Sequence, residues 1–401
     1  MLLVDGNVLI LRLIKRLYKK SDRESVHFVE ESMYAQKFCD IHPSMVLRYM
    51  NPANGLSNFR KKIGKEGLFF IEEVLQSVAS KKVLKKGNKL IVDTTCISAD
   101  IIYPTDIRLL ERCRKEIIKL LKKAKEFGVH MVCRTYNRTA RKIFVEFSKM
   151  CKPKEKTRKK THKQMIQFVS RNFKQLNDLR DKCNVRIGKK SITDSEVCTF
   201  LKRLKESENK IRLILHQQKQ RYKDILHIPE RIVSFHKDHI RPIVRGKFPL
   251  STEFGPKILV CMYKGYTHVV EVFRNNVSDS GLILNVLRWF KNKFGCLPEG
   301  IFGDRGFFSS SIKKLLEKLS IGDFIQPKGK IVKDKKWYRG AIRGRLPVEC
   351  RISLGKRKFG WDKCRARNNE HEENWIRLQA AAMNVHLRYI CGPPKQRIKR
   401  L

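Results

Sequence analysis

Three acids in this chain stand where a carboxylate can do more than solubilise a surface. Asp93 closes the apolar run Lys89-Leu90-Ile91-Val92, and Asp304 follows Gly300-Ile301-Phe302-Gly303. Glu349 lies in Arg345-Leu346-Pro347-Val348-Glu349-Cys350-Arg351-Ile352. An acid ending a buried strand sits at the sheet edge where open α/β folds bind ligands. Carboxylates that meet there repel one another unless a divalent cation neutralises them, and hard oxygen donors select Mg2+ or Mn2+. Two such ions about 3.5–4 Å apart are the apparatus of in-line displacement at phosphorus. The plainer reading makes each acid a cap or a turn residue, and for any one of them alone it stands. Gly303-Asp304-Arg305-Gly306-Phe307 resists it best, because glycines bracketing an Asp and an Arg suggest close backbone approach to a ligand.

The elements that must position these acids can be read from the apolar pattern. Lys89–Thr95 is a short apolar run ending in polar residues, as an interior strand requires. Tyr103-Pro104-Thr105-Asp106 is a turn whose Thr or Asp caps a helix over Ile107–Phe127. That helix carries Leu110, Cys113, Ile117, Leu121 and Ala124 on one stripe and stops at Gly128. From about 130 to 235 the chain stays helical and polar and reads as an insert. Strands return at Lys257–Tyr263 and Tyr266–Phe273, joined by the two-residue turn Lys264-Gly265. A helix over Ser280–Lys293, the strand before Asp304, a helix opened by Ser309 and a short strand at Phe324-Ile325 follow. Pro347 suits the first turn of a helix bearing Glu349. The N-terminal 85 residues read as helices at Val8–Leu17, Val26–Phe38 and Gly67–Leu75. The sum is a mixed α/β sheet with helices packed on it.

The 401 residues carry a formal net charge of +49, with 41% hydrophobic content. That is enough apolar matter for real cores, while the charge demands a polyanionic partner, most commonly nucleic acid. Metabolism of neutral substrates is disfavoured on this ground. The 12 cysteines form no CxxC pair, which speaks against a zinc finger or ribbon and for reduced thiols. His236 and His239 are close in sequence but have no further ligand pattern. Trp289, Trp337 and Trp361 read as core or rim aromatics. The N-terminal stretch reads as a helix and not as a signal peptide, and no run of about 18 apolar residues marks a membrane span. A cytoplasmic, nucleoid-associated location is expected. Basic runs occur at Arg60–Lys65, at Lys152–Lys163 and from Lys328 to Arg345; each is either a nucleic-acid contact or a solvated face.

Taken together, several segments resemble bacterial insertion-sequence DDE transposases. They are Val92-Asp93-Thr94-Thr95 with Tyr103-Pro104-Thr105-Asp106, Arg245-Gly246-Lys247 with Glu253-Phe254-Gly255, and Gly303-Asp304-Arg305-Gly306-Phe307. The similarity is to the insertion-sequence-five-like branch, related to the insertion-sequence-four group. Arg345, Glu349 and Lys356 reproduce that group's R-x3-E-x6-K spacing, and Leu56-Ser57-Asn58-Phe59-Arg60-Lys61-Lys62-Ile63-Gly64 is similar to its head segment.

The resemblance implies an RNase H-like catalytic core that cuts and rejoins DNA, with Asp93, Asp304 and Glu349 as catalytic and metal-binding triad for two Mg2+ or Mn2+ ions. It implies DNA contacts at Arg345 and Lys356, at Arg245 and Lys247, at Arg305, and at Arg60 and Lys61 in the head. It also implies transposon-end and target DNA as partners and a homodimer in synapsis. The expected domains are a helical DNA-binding head over 1–85, a catalytic domain over 86–390 with an insert at about 107–236, and a basic tail over 391–401. Three features depart from the pattern. Ile342 stands where the group carries Tyr, with Tyr338 one turn earlier; Gly355 interrupts the expected Glu349 helix; and related chains carry further residues before the segment beginning here at Met1, so the head is expected to be short. Two alternatives stand beside a transposase: a non-catalytic DNA-binding descendant, and a nuclease sharing the site without the joining step.

Overall fold

The computed structural model describes residues 18, 20–38, 67, 89–127, 129, 133–188, 195–225, 227–244, 252–328, 335–366 and 368–389. The expected helix at Val8–Leu17, the rest of Gly67–Leu75, Arg60, Lys61, Arg245, Lys247 and the tail over 391–401 lie outside them. The chain forms two compact units, one from residues 1–100 with 242–401 and the other from Ile101–Arg241. Among the described residues no helix is long and apolar enough to cross a membrane.

The first unit is built on a five-stranded mixed sheet. Its strands are β1 (Lys89–Cys96), β5 (Lys257–Tyr263), β6 (Tyr266–Phe273), β7 (Gly300–Gly303) and β8 (Gly322–Ile325), in the spatial order β6-β5-β1-β7-β8. Among the described residues four short strands form two minor ladders, β2 (Ser98–Ala99) pairing with β9 (Lys363–Cys364) and β3 (Pro242–Val244) with β4 (Thr252–Phe254). β1 lies at the centre, antiparallel to β5 and parallel to β7, and β8 is parallel to β7. The β5–β6 hairpin turns on Lys264 and Gly265, both at positive φ (49° and 86°), the backbone of a type I′ turn.

Strand alternation sorts the two faces of β1. Leu90 and Val92 pack with Leu259, Ile301 and the helix α7 (Leu282–Phe294), whose Ile283, Val286 and Phe290 are buried. α8 (Ser310–Lys318) adds Ile312 and Leu316 to this face, and Ser309 caps it by accepting from the Ile312 backbone N–H. The opposite face, which holds Ile91 and Asp93, is covered by α9 (Lys335–Lys358) and α10 (Asn369–Tyr389), through Val348, Ile376 and Met383, with Trp361 of the segment between them packed in the same core.

α9 corrects the expectation about Pro347. The helix begins at Lys335, so Pro347 sits in its middle and not in its first turn. Pro347 is exposed, and the helix is held through that break by its buried face, where Ala341, Val348 and Gly355 recur at helical spacing. Gly355 is explained by the same packing. A Cβ there would come 2.7 Å from the Trp361 ring and 3.2 Å from Met383 Sδ, so the glycine makes room for a fully buried indole. The expected Val26–Phe38 helix is two helices, α1 (Asp22–Glu31) and α2 (Met33–Phe38). Ser32 divides them, its extended backbone ending α1 while its hydroxyl accepts from Ala35 N.

The second unit is helical: α3 (Asp106–Glu126), α4 (Asn137–Ser148), α5 (Glu155–Gly188) and α6 (Ser195–Tyr222). The stripe of Leu110, Cys113, Ile117, Leu121 and Ala124 is buried against Met165, Val169, Leu176, Leu204, Ile211 and Ile214. Thr105 caps α3, accepting from Arg108 N at 3.2 Å. Asp106 becomes an anchor as well as a cap neighbour: it accepts from Arg231 at 2.7 Å and Gln218 at 2.9 Å, and Arg221 stands 3.8 Å away. Those cations and the Gln218 hydrogen bond outweigh its burial and hold its pKa below the ordinary carboxylate value. Within α3 the buried Arg114 forks onto Glu111 at 2.7 and 2.8 Å and reaches Asn137 at 2.7 Å.

Candidate active site

Asp93 and Asp304 come from neighbouring parallel strands. The register pairs Ile91 with Phe302, so two residues further on each strand bring Asp93 and Asp304 to the same face, the one α9 covers. The fit of α9 depends on Gly344, since a Cβ there would collide with the Phe302 ring. With no side chain at 344, the helix lies against β7 and brings Arg345 and Glu349 to the two aspartates.

Each aspartate has a local structural role in addition. Asp93 Oδ1 accepts from the Thr94 backbone N–H at 2.8 Å. Asp304 caps a single 3-10 turn, Arg305–Phe307, by accepting from Gly306 N at 2.9 Å. Gly306 has no space to spare: a Cβ there would stand 3.0 Å from both Asp304 Oδ1 and Asp279 Oδ2. The bracketing glycine therefore serves an approach between two carboxylates of the protein itself. Asp279 is a neighbour the sequence reading passed over. It is ion-paired at 2.7 Å with Lys257, whose ammonium also donates to Val277 O at 2.7 Å. The available signal was Ser278-Asp279-Ser280-Gly281, a polar turn between a strand and a helix.

Arg345 binds the group together. Its guanidinium is ion-paired with Glu349 one turn along the helix and stands 3.8 Å from Asp304 Oδ2. Arg305 donates to the Tyr338 hydroxyl at 2.8 Å, tying the loop after β7 to the first turns of α9. Tyr338 is thus engaged one turn before Ile342, which is exposed. Burial lifts the Asp93 pKa to about 6, with the negative charges of Asp304 and Glu349 adding to the rise and Arg345 and the Thr94 hydrogen bond opposing it.

The donor chemistry fits Mg2+ or Mn2+: three acceptor-only carboxylates share one face, and their mutual repulsion is the charge excess a divalent cation relieves. Among the described residues, however, no group of three or more His, Cys, Asp or Glu side chains stands at metal-ligating distance. The carboxylates share a face without closing into a ligand set, and Arg345 is the cation among them. Lys356 lies two turns beyond Glu349 on α9 and is half-buried. His236 and His239 fall in the other unit, Ile101–Arg241, in no such ligand cluster.

Residues 256–385 match the family model described as a transposase DDE domain. The matched segment covers about a third of the chain and contains Asp304, Arg345, Glu349 and Lys356. Asp93 lies outside it and joins the group through β1. The match supports a relationship to DDE transposases. No curated protein and no solved structure matches the chain.

Proposed function

We propose that the chain is a DNA transposase of the insertion-sequence-five/four-like branch, with an RNase H-like core and Asp93, Asp304 and Glu349 as its catalytic acids. The observation that carries this reading is the parallel pairing of β1 with β7 beneath α9, which gathers three sequence-distant acids on one face. Two of them lie inside the segment similar to a transposase DDE domain. The strand order, an antiparallel trio β6-β5-β1 followed by the parallel β7 and β8, suits an RNase H-like sheet.

The acids would hold two Mg2+ or Mn2+ ions, which when bound supply an activated water and stabilise charge developing at phosphorus. The protein's own part is placement. Asp93, on the rigid central strand, fixes the floor of the site, and Asp304 is set by its cap on Gly306. Glu349 is carried in by α9. Arg345 and Lys356 grip backbone phosphates beside the cleaved bond, with Arg305 along the same groove, and Arg245 and Lys247 add further backbone contacts. The helical unit and the head residues Arg60 and Lys61 add sequence-independent attraction. Synapsis of two transposon ends calls for two copies of the chain, working on DNA in the cytoplasm at the nucleoid.

The test is metal-dependent cleavage of transposon-end DNA and joining of its 3′-hydroxyl to a target duplex. Asp304→Ala and Glu349→Ala should abolish both steps; retention of both would refute the assignment. Cleavage without joining would indicate a nuclease. One observation favours a non-catalytic DNA-binding descendant, namely the Arg345 ion pair where an open ligand set is expected. Duplex binding with no Mn2+ binding would decide for it.

A further inference from the structure

We infer that Arg345 holds, in the metal-free protein, the place of a divalent cation between Asp304 and Glu349. Loading metal then releases that guanidinium for DNA, so that metal and backbone phosphate are coupled through one side chain. The inference rests on the metal-site reading above and adds a linkage to it.

Three features of the geometry carry it. Arg345 is ion-paired with Glu349 and lies 3.8 Å from Asp304, so one cation serves both carboxylates. It is also the most buried of the three, with its side chain 18% exposed against 38% for Asp304 and 44% for Glu349. A surface arginine paired only opportunistically would sit outside the acids it neutralises. Finally, its depth is fixed by the backbone, since the neighbouring Gly344 is seated on the Phe302 ring.

A divalent cation on Asp304 and Glu349 and the Arg345 guanidinium make competing claims on the same oxygens. When the cation wins, the arginine remains on α9 one turn from Glu349 with its planar fork unengaged. That fork matches a phosphate in two-point hydrogen bonding. Linkage requires reciprocity: if metal frees the arginine for DNA, DNA must tighten metal by the same factor.

The experiment is Mn2+ titration of the 401-residue chain, followed by calorimetry and by the electron paramagnetic resonance of free Mn2+, with and without a short blunt duplex at low salt. Arg345→Met, which keeps the stem and removes the fork, should bind Mn2+ about tenfold tighter than the parent, within the usual span of coupling between sites. The duplex should tighten Mn2+ binding to the parent and leave Arg345→Met unchanged. Arg343→Met removes an equal charge from an exposed position on the same helix and should shift Mn2+ affinity by less than about twofold. Arg345→Gln repeats the test if the Met variant does not fold. The inference is overturned if Arg345→Met binds Mn2+ no better than the parent, or if Arg343→Met gives the same gain. Absence of Mn2+ binding by both parent and Arg345→Met would instead overturn the metal-site reading itself. Loss of binding on adding Asp304→Asn to Arg345→Met locates the ion at these acids and supports both.

Discussion

Asp93→Asn should stabilise the metal-free protein, and by an amount that depends on pH in a defined way. Burial, with the charges of Asp304 and Glu349, lifts Asp93 from 3.8 to about 6. A carboxyl whose folded pKa lies above its unfolded value binds protons more tightly when folded. Stability is therefore greatest at low pH, declines as pH rises from about 4 to about 6, and stays reduced above that. At 1.36 kcal/mol for each tenfold, the full penalty is about 3 kcal/mol, and about 2 kcal/mol after allowance for the solvent contact Asp93 retains. Asparagine keeps the oxygen that accepts from Thr94 N and carries no charge. The variant should accordingly gain about 2–3 kcal/mol at pH 8, roughly half that at pH 5, and nothing below pH 4. Chemical denaturation followed by tryptophan fluorescence reads the right unit, because Trp289, Trp337, Trp361 and Trp375 all lie outside Ile101–Arg241. Saturating Mn2+ should reverse the order, stabilising the parent and not the variant. A stability difference that stays flat between pH 5 and pH 8 would refute the electrostatic account of this face.

The other predictions follow from packing and charge. Gly344→Ala should cost about 1–3 kcal/mol by forcing α9 off the Phe302 ring, and it should reduce Mn2+ affinity, measured by calorimetry, because Glu349 travels with the helix. Asp106→Ala strands Arg231 and Gln218 and should destabilise the helical unit by about 2–4 kcal/mol, read as faster hydrogen exchange in α3 and α6. Because the Asp106 pKa is lowered on folding, its contribution is present at neutral pH and fades as pH falls through the folded value, so the exchange difference should shrink in acid. Replacing the exposed Lys156, Arg158 and Lys160 with Gln should reduce the slope of log affinity against log salt by up to about 2–3 on nonspecific duplex DNA; an unchanged slope would remove α5 from the interface.

Much of the frame was legible in the residues, because burial leaves a strong local signature. β1 reads as a strand from Leu90-Ile91-Val92, the β5–β6 hairpin from its Gly-containing turn, and α3 from a stripe that ends beside Gly128. What the pattern could not carry was pairing at a distance. Asp93 and Asp304 are separated by 211 positions, and only the β1–β7 register makes them neighbours. The start of α9 was obscured by Pro347, whose usual place in a first turn is a local rule overridden by tertiary packing on Ala341 and Val348. Gly355 looked like a weak point and is a cavity for Trp361. The Arg345 clamp was invisible for another reason. Its spacing from Glu349 announces a helix face, but nothing in the sequence tells which anion a guanidinium will choose.

The central position of β1 also sets a timetable for the chain's own manufacture. Its two hydrogen-bonding partners begin at Lys257 and Gly300, beyond the whole of the helical unit. At the usual 5–20 residues per second, β1 leaves the ribosome about 10–30 s before β5 can reach it. During that interval the strand is apolar on one face and unpaired along both edges, while the helical unit following it can complete its own core. The sheet is thus a late event closed by the later-made strands, and early termination anywhere before β7 leaves a nascent product with a sticky strand and no gathered acids. Chaperone demand during synthesis should fall on residues 89–96, and shortening the helical unit should relieve it.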